Sequence, residues 1–356
     1  MISAADVCPA NWWSKKRGAC LVGVFLVLLF AASCSNGNRE QAPFRYSGLT
    51  MGTAFNVTVA VMPNTVRTDE LKAGIDRQLN GVDGSMSTFL EDSELSRLNR
   101  SRSTDWLPVS DPLATVIAEA QRISRLTDGA FDVTVGPLVN LWGFGPEKRG
   151  GDDLPSSSEI AVRLQTCGYR NLHVREEPPS VRKLLPEITI DLSALAKGYG
   201  VDRVAGYLES AGINDYLVEV GGELRVKGKS HRGDAWRIGI EKPAPGQRVV
   251  QKVLVLDDMA VATSGDYRNY IEVDGQRFSH TIDPRTGRPI THKLASVTVL
   301  SHTTMAADAL ATGLMVLGPD EGFVLAEQNA WAALFIIKAT NGFIEKPTSA
   351  FSTSMR

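Results

Sequence analysis

Cysteine is scarce in this 356-residue chain. The four copies, Cys8, Cys20, Cys34 and Cys167, form no C-x-x-C pair, and the five histidines are scattered. That argues against a zinc site of the Cys/His type. Charge of one sign is lacking too: Lys plus Arg is 38 against 40 for Asp plus Glu, a net charge of −2, with no block of five like charges. A broad nucleic-acid-binding surface is therefore not expected. There is one long apolar run, at the N-terminus, so the chain is not a polytopic membrane protein. The common nucleotide and hydrolase signatures are missing. Gly198-Tyr199-Gly200 has Arg203 where a third Gly would complete Gly-x-Gly-x-x-Gly, and Gly228-Lys229-Ser230 has Glu223 where a P-loop begins with Gly. No His-Glu-x-x-His and no Gly-x-Ser-x-Gly occurs. What is present is ordinary globular material. Apolar residues are 43% and charged residues 22%, enough for a packed core and incompatible with global disorder.

The N-terminus reads as an address. Lys15, Lys16 and Arg17 precede an apolar run over residues 20–33. At ~1.5 Å per residue that run spans ~21 Å, short of the ~30 Å bilayer core, so it is expected to be a secretory leader rather than a membrane span. Ala31-Ala32-Ser33 before Cys34 resembles a bacterial lipobox, with Ala31 where Leu is commonest. Cys34 is the expected lipidation site, residues 1–33 the signal peptide and 34–45 a polar tether. The chain is thus expected to be exported and lipid-anchored to a bacterial membrane, facing the periplasm or the exterior. Ordinary cleavage to a soluble exported protein is the alternative. If Cys34 carries lipid, Cys167 has no partner left for a disulfide within the mature chain.

Along the mature chain, alternation predicts strands at 53–61, 187–192, 216–220, 223–226, 236–241, 252–256, 270–273, 295–300 and 331–338. Helical spacing predicts helices at 68–81, 94–99, from Ser110-Asp111-Pro112 to about 126, and at 156–167, 194–211, 304–317 and 321–329. Asp274-Gly275 reads as a hairpin turn. The mixture predicts an α+β fold, one intertwined two-lobed body of mixed sheets and helices.

Several constellations could carry chemistry. Asp308 and Thr312 lie four residues apart in an alanine-rich helix and share a face. A carboxylate and a hydroxyl are hard ligands suited to Mg²⁺, although the same segment could be a small-residue packing face with Asp308 as a cap or ion-pair partner. Asp191 closes a predicted strand and Lys197 opens the helix after it. That arrangement favours phosphate, or else Asp191 or Ser193 simply caps the helix. His280 and Asp283 fall in a tight Asp-Pro-x-Thr-Gly loop and could accept a proton, or merely make the turn. Residues 263–267 and 127–132 are polar, Gly-containing loops that could meet a ligand.

Taken together these segments are more specific than any one of them. Met51-Gly52-Thr53, residues 86–89 and 93–99, 127–132, 191–198, Gly221-Gly222-Glu223, 264–267, 280–287 and 308–312 occur in one order. That order resembles the ApbE family of bacterial flavin transferases over residues 46–345, leaving 346–356 as a tail. The resemblance implies an ApbE-like fold related to the T-fold. It also implies an enzyme that takes FAD as substrate and uses Mg²⁺ to attach the FMN moiety to a Thr or Ser of a target protein through a phosphoester, releasing AMP. Its partners would be flavin-accepting redox subunits outside the cytoplasmic membrane, with no nucleic acid involved. Carried over residue by residue, Met51, Phe89, Ala130, Phe131, Asp132, Asp191, Lys197 and Ile282 would line the FAD site. Asp308, Thr312 and the Ala194 carbonyl would hold Mg²⁺, and His280 and Asp283 would be catalytic. Phe89 stands where the family often has Tyr. A Mg²⁺-dependent FAD pyrophosphatase and a non-catalytic FAD-binding lipoprotein are the alternatives with the same residues.

Overall fold

Apolar and polar side chains alternate along Phe44–Thr50 (β1) and Thr53–Val59 (β2), and the two pair antiparallel around Met51-Gly52. In the computed structural model, which describes residues 42–147, 154–243, 249–266, 270–273 and 276–355, they begin an eight-stranded sheet. The sheet continues with Tyr216–Val220 (β3), Glu223–Lys227 (β4), Met259–Gly265 (β5), Leu294–Ser301 (β6), Ala332–Ala339 (β7) and Gly342–Pro347 (β8). Each strand pairs antiparallel with the next in chain order, so the sheet is a meander whose connections carry everything else. The described residues form one compact unit.

Four helices matter for the site: Thr68–Met86 (α1), Asp111–Leu126 (α2), Ala196–Ser210 (α3) and Thr304–Gln328 (α4). Leu71, Ile75 and Leu79 of α1 and Val201, Val204 and Leu208 of α3 pack on Phe55, Val57, Tyr216 and Val218 of the sheet. α4 packs with α2 against β6 and β7. The opposite face is covered by a hairpin, Trp236–Glu241 with Val250–Leu256, through Trp236, Ile238, Ile240 and Leu254. β6 is buried on both faces for seven of its eight residues, as expected of a strand sandwiched between layers. By length and composition α4 is apolar enough to cross a membrane, but most of its surface is buried, which marks a core helix. It breaks at Gly318, just before Pro319, where the two helices expected at 304–317 and 321–329 meet.

Several expectations need correction. Residues 187–192 are no strand. Asn99 brackets the main chain there, its Nδ2 donating to the Ile190 carbonyl and its Oδ1 accepting the Ile190 N–H, both at 2.8 Å, while Asp191 N–H reaches the Val133 carbonyl at 2.7 Å. Side-chain and loop partners satisfy groups that a neighbouring strand would otherwise take. Residues 263–265, read as loop, are the end of the central strand β5. Phe44 and Arg45, expected to end the polar tether, already belong to β1. The expected tail is folded: after β8, Thr348 caps the Ser349–Ser354 helix and Phe351 is buried in the core. The expected signal peptide, Cys34, residues 35–41, Tyr267 and the expected turn at Asp274-Gly275 lie outside the described residues.

Candidate active site

The site begins where α3 crosses the start of α4. Asp202 of α3 accepts the N–H groups of Thr304 and Met305, each at 2.9 Å, so one helix caps the other. The crossing is close. A Cβ on Gly198 would sit 2.5 Å from the Thr304 carbonyl oxygen, so only glycine fits there. The approach lets Gly198 N–H donate to Asp308 Oδ2 at 3.2 Å. Lys197 lies beside it, with Nζ 3.5 Å from Asp308 Oδ2 and 3.7 Å from Glu223 Oε1, and donates to the Ser193 carbonyl at 3.1 Å. Gly221, at φ 64°, turns the chain so that Glu223 comes back onto Lys197, and a Cβ at Gly221 would crowd Thr53 and the Lys197 stem. Thr312 Oγ1 lies 3.1 Å from Ser264 Oγ on β5.

Two carboxylates thus share one ammonium. Burial pushes the Asp308 carboxyl upward against the pull of Lys197 and the Gly198 N–H. Burial likewise pushes the Glu223 carboxyl upward, again opposed by Lys197. For Lys197, burial acts downward, but Asp308 and Glu223 outweigh it and hold the ammonium above its ordinary value. Glu223 Oε2 is buried with no hydrogen-bond partner among the described residues. Among those residues no group of three His, Cys, Asp or Glu side chains could hold a metal. A cation at Asp308 would therefore draw on the Thr312 hydroxyl and main-chain oxygen as well. An all-oxygen donor set suits a hard cation.

These groups line one cavity of about 460 Å³. Around it stand Ala130, Phe131, Asp132, Asp191, Ala194, Lys197, Asp308, Thr312, His280 and Ile282, with Phe89 at 67% exposure. Most of the predicted residues are thus brought together. The details differ among them. The Asp132 carboxylate is turned inward, accepting from Thr134 N–H, Thr134 Oγ1 and Tyr169 N–H at 2.7–2.8 Å. Asp191 accepts from the N–H and the hydroxyl of Ser193. The half-buried His280 ring meets Phe144 edge-on, with centroids 6.2 Å apart. Two predicted residues stand apart. Met51 is not among the lining residues and packs its tip towards Gly200 between two parts of the core. Asp283 is likewise absent from the lining, and its carboxylate binds the Arg285 guanidinium at 3.0 Å and the Arg285 N–H at 2.9 Å. Sequence reasoning assigned no role to Glu223 or Asp202, nor to the hairpin wall of Ile238, Gly239 and Ile240. Glu223 was marked only by the two glycines before it.

A cavity with convergent carboxylates, an ammonium, a hydroxyl and an imidazole at its wall is the arrangement of an enzyme active site for a polar substrate. Comparison with known proteins makes this particular. The ApbE family model matches residues 51–335. The FAD:protein FMN transferase of Vibrio cholerae is 48% identical over 324 residues, 91% of this chain and 95% of that one. That of Haemophilus influenzae is 44% identical over 336 residues, 93% and 97% of the two chains. Among solved structures, the flavin transferase ApbE from Vibrio cholerae superposes with a TM-score of 0.81 at 48% identity, covering 87% of this chain and 98% of that one. The apo form of Pseudomonas stutzeri flavinyl transferase ApbE gives 0.81 at 39% identity, covering 88% and 96%. The chain belongs to the ApbE family; its α+β fold is that family's, and it is an enzyme.

Proposed function

We propose that this chain moves the FMN moiety of FAD onto a Thr or Ser hydroxyl of a target protein, with Mg²⁺ held by Asp308, Thr312 and the Ala194 carbonyl. The observation that carries the reading is the convergence of Asp308, Thr312, Lys197 and His280 on one cavity. The relatives' names supply the reaction class. In the step, a bond forms between the acceptor oxygen and the FMN phosphorus, and the bond from that phosphorus to the oxygen of AMP breaks. Such transfers depend on alignment and charge neutralisation more than on covalent help. Lys197 sets a positive charge at the wall where the diphosphate would lie. His280 accepts the proton of the acceptor hydroxyl, a contribution of about 10²- to 10⁴-fold. Mg²⁺ on the diphosphate would offset its negative charge. Phe131 and Ile282 supply apolar wall for the flavin ring.

The targets are proposed to be redox subunits outside the cytoplasmic membrane, reached from an anchor at Cys34. Incubating the purified chain with FAD, Mg²⁺ and a candidate acceptor domain tests the reading. Mass spectrometry is expected to find FMN on an acceptor Thr or Ser, with AMP release requiring the acceptor. Asp308→Ala is expected to remove transfer with the fold intact, and normal in-gel flavin fluorescence of the acceptor with this variant would refute the metal assignment. AMP release without any acceptor would point to a pyrophosphatase instead.

A further inference from the structure

Glu223 has no part in the transfer described above, yet it lines the same cavity at 5% exposure. One of its oxygens is 3.7 Å from Lys197 Nζ, and the other is buried without a hydrogen-bond partner among the described residues. Leaving a carboxylate oxygen in that state is costly unless a charge nearby makes use of it. Lys197 is the nearby charge. Its ammonium stands between two carboxylates, and its contact on Asp308 is with Oδ2 at 3.5 Å. A divalent cation on the Asp308 carboxylate would repel an ammonium at that distance. Lys197 therefore needs a second anchor, and Glu223 is the carboxylate within reach.

We propose that Glu223 is a positioning residue, whose carboxylate holds the Lys197 ammonium at the cavity wall when a divalent cation takes the Asp308 carboxylate. The inference rests on the reading of a cation at Asp308 given above. It has a directional consequence. Without the Glu223 charge, Lys197 stays on Asp308 and competes with the cation. The chain then needs more Mg²⁺, while its capacity to bind FAD at saturating Mg²⁺ is largely kept.

The test is FAD binding by the full chain, followed by flavin fluorescence and titrated with MgCl₂. In Glu223→Gln the Mg²⁺ concentration giving half of the FAD-binding change is expected to rise on the order of tenfold, as for strongly coupled neighbours. A Lys197→Met background weakens FAD binding in its own right and is therefore titrated at raised FAD; there the same substitution is expected to leave the half-maximal Mg²⁺ concentration of that background unchanged within about twofold, because the competitor is gone. A merely structural role for Glu223 would not be silenced by removing Lys197. A wild-type Mg²⁺ requirement in Glu223→Gln overturns the proposal. So does a tenfold rise that persists in the Lys197→Met background, which would make Glu223 a direct partner of the cation. If the Gln variant fails to fold, Glu223→Asp carries the test, with a rise of about threefold expected and no rise overturning it. If FAD binding by the wild-type chain ignores Mg²⁺, the cation reading itself fails and takes this inference with it. That outcome is distinct from a normal wild-type response with an unaltered variant.

Discussion

Replacing Asp202 by Ala should show how much the site owes to one helix capping another. The carboxylate accepts two N–H groups at the start of α4, each at 2.9 Å, and lies 3.7 Å from the Arg225 guanidinium. Hydrogen bonds to a charged acceptor contribute about 1.5–3 kcal/mol each, and loss of an N-cap typically costs ~1 kcal/mol and up to ~2. Against this, burial pushes the Asp202 carboxyl upward, so removing it relieves some desolvation. The balance is a loss of about 2–4 kcal/mol. Urea unfolding followed by circular dichroism would measure it, with an unchanged slope confirming that only stability moved. Asp202→Asn keeps one good acceptor and should lose about half as much. Because Asp308 lies one turn into the same helix, Asp202→Ala should also weaken FAD binding. A loss below about 0.5 kcal/mol would refute the argument, because a surface substitution away from any such feature does as little.

Two further outcomes follow from close contacts and burial. Gly198→Ala places a Cβ 2.5 Å from the Thr304 oxygen, so α3 and α4 must separate, and the chain should lose about 1–3 kcal/mol or more with impaired Mg²⁺-dependent FAD binding. A variant with wild-type melting and binding would show that the crossing is loose. Burial pushes the Cys167 thiol up to about 12, so the folded chain should react with iodoacetamide at pH 8 far more slowly than the unfolded chain. The sign for stability is that the thiol's contribution is complete below the ordinary value of 9.0 and is lost as pH rises through about 12. Equal alkylation rates before and after unfolding would contradict this.

Much of the fold was legible where local chemistry decides it. Ser110-Asp111-Pro112 opens α2 as its residue types announce, and the helix expected from Ser156 is there, spanning Ser157–Leu164 with Ser156 as its cap. Gly318-Pro319 marks the break in α4. What failed were segments whose partners are remote in sequence. Ile188, Ile190 and Leu192 alternate and are fully buried, which mimics a strand, but Asn99 occupies the main chain. β5 was hidden because its polar Thr263 and Ser264 look like loop. In the fold, Thr263 pairs with Thr298 across the sheet and Ser264 with Thr312 of α4. For the site, the sequence order of motifs led to the cavity, and the helix register placed Asp308 and Thr312 together. The proximity of Glu223 to Lys197 had no such signal, since it depends on the left-handed turn at Gly221 bringing a strand start onto a helix start.

The meander has a consequence for how the molecule should behave in time. Its strands follow one another in chain order, so each connection leaves and rejoins the sheet between neighbours. The cavity takes Phe131 and Lys197 from the stretch between β2 and β3, Ile240 from that between β4 and β5, His280 from that between β5 and β6, and Asp308 from that between β6 and β7. A ligand seated there ties together segments distant along the polypeptide. Occupancy should therefore slow hydrogen exchange across the whole sheet rather than near the pocket alone.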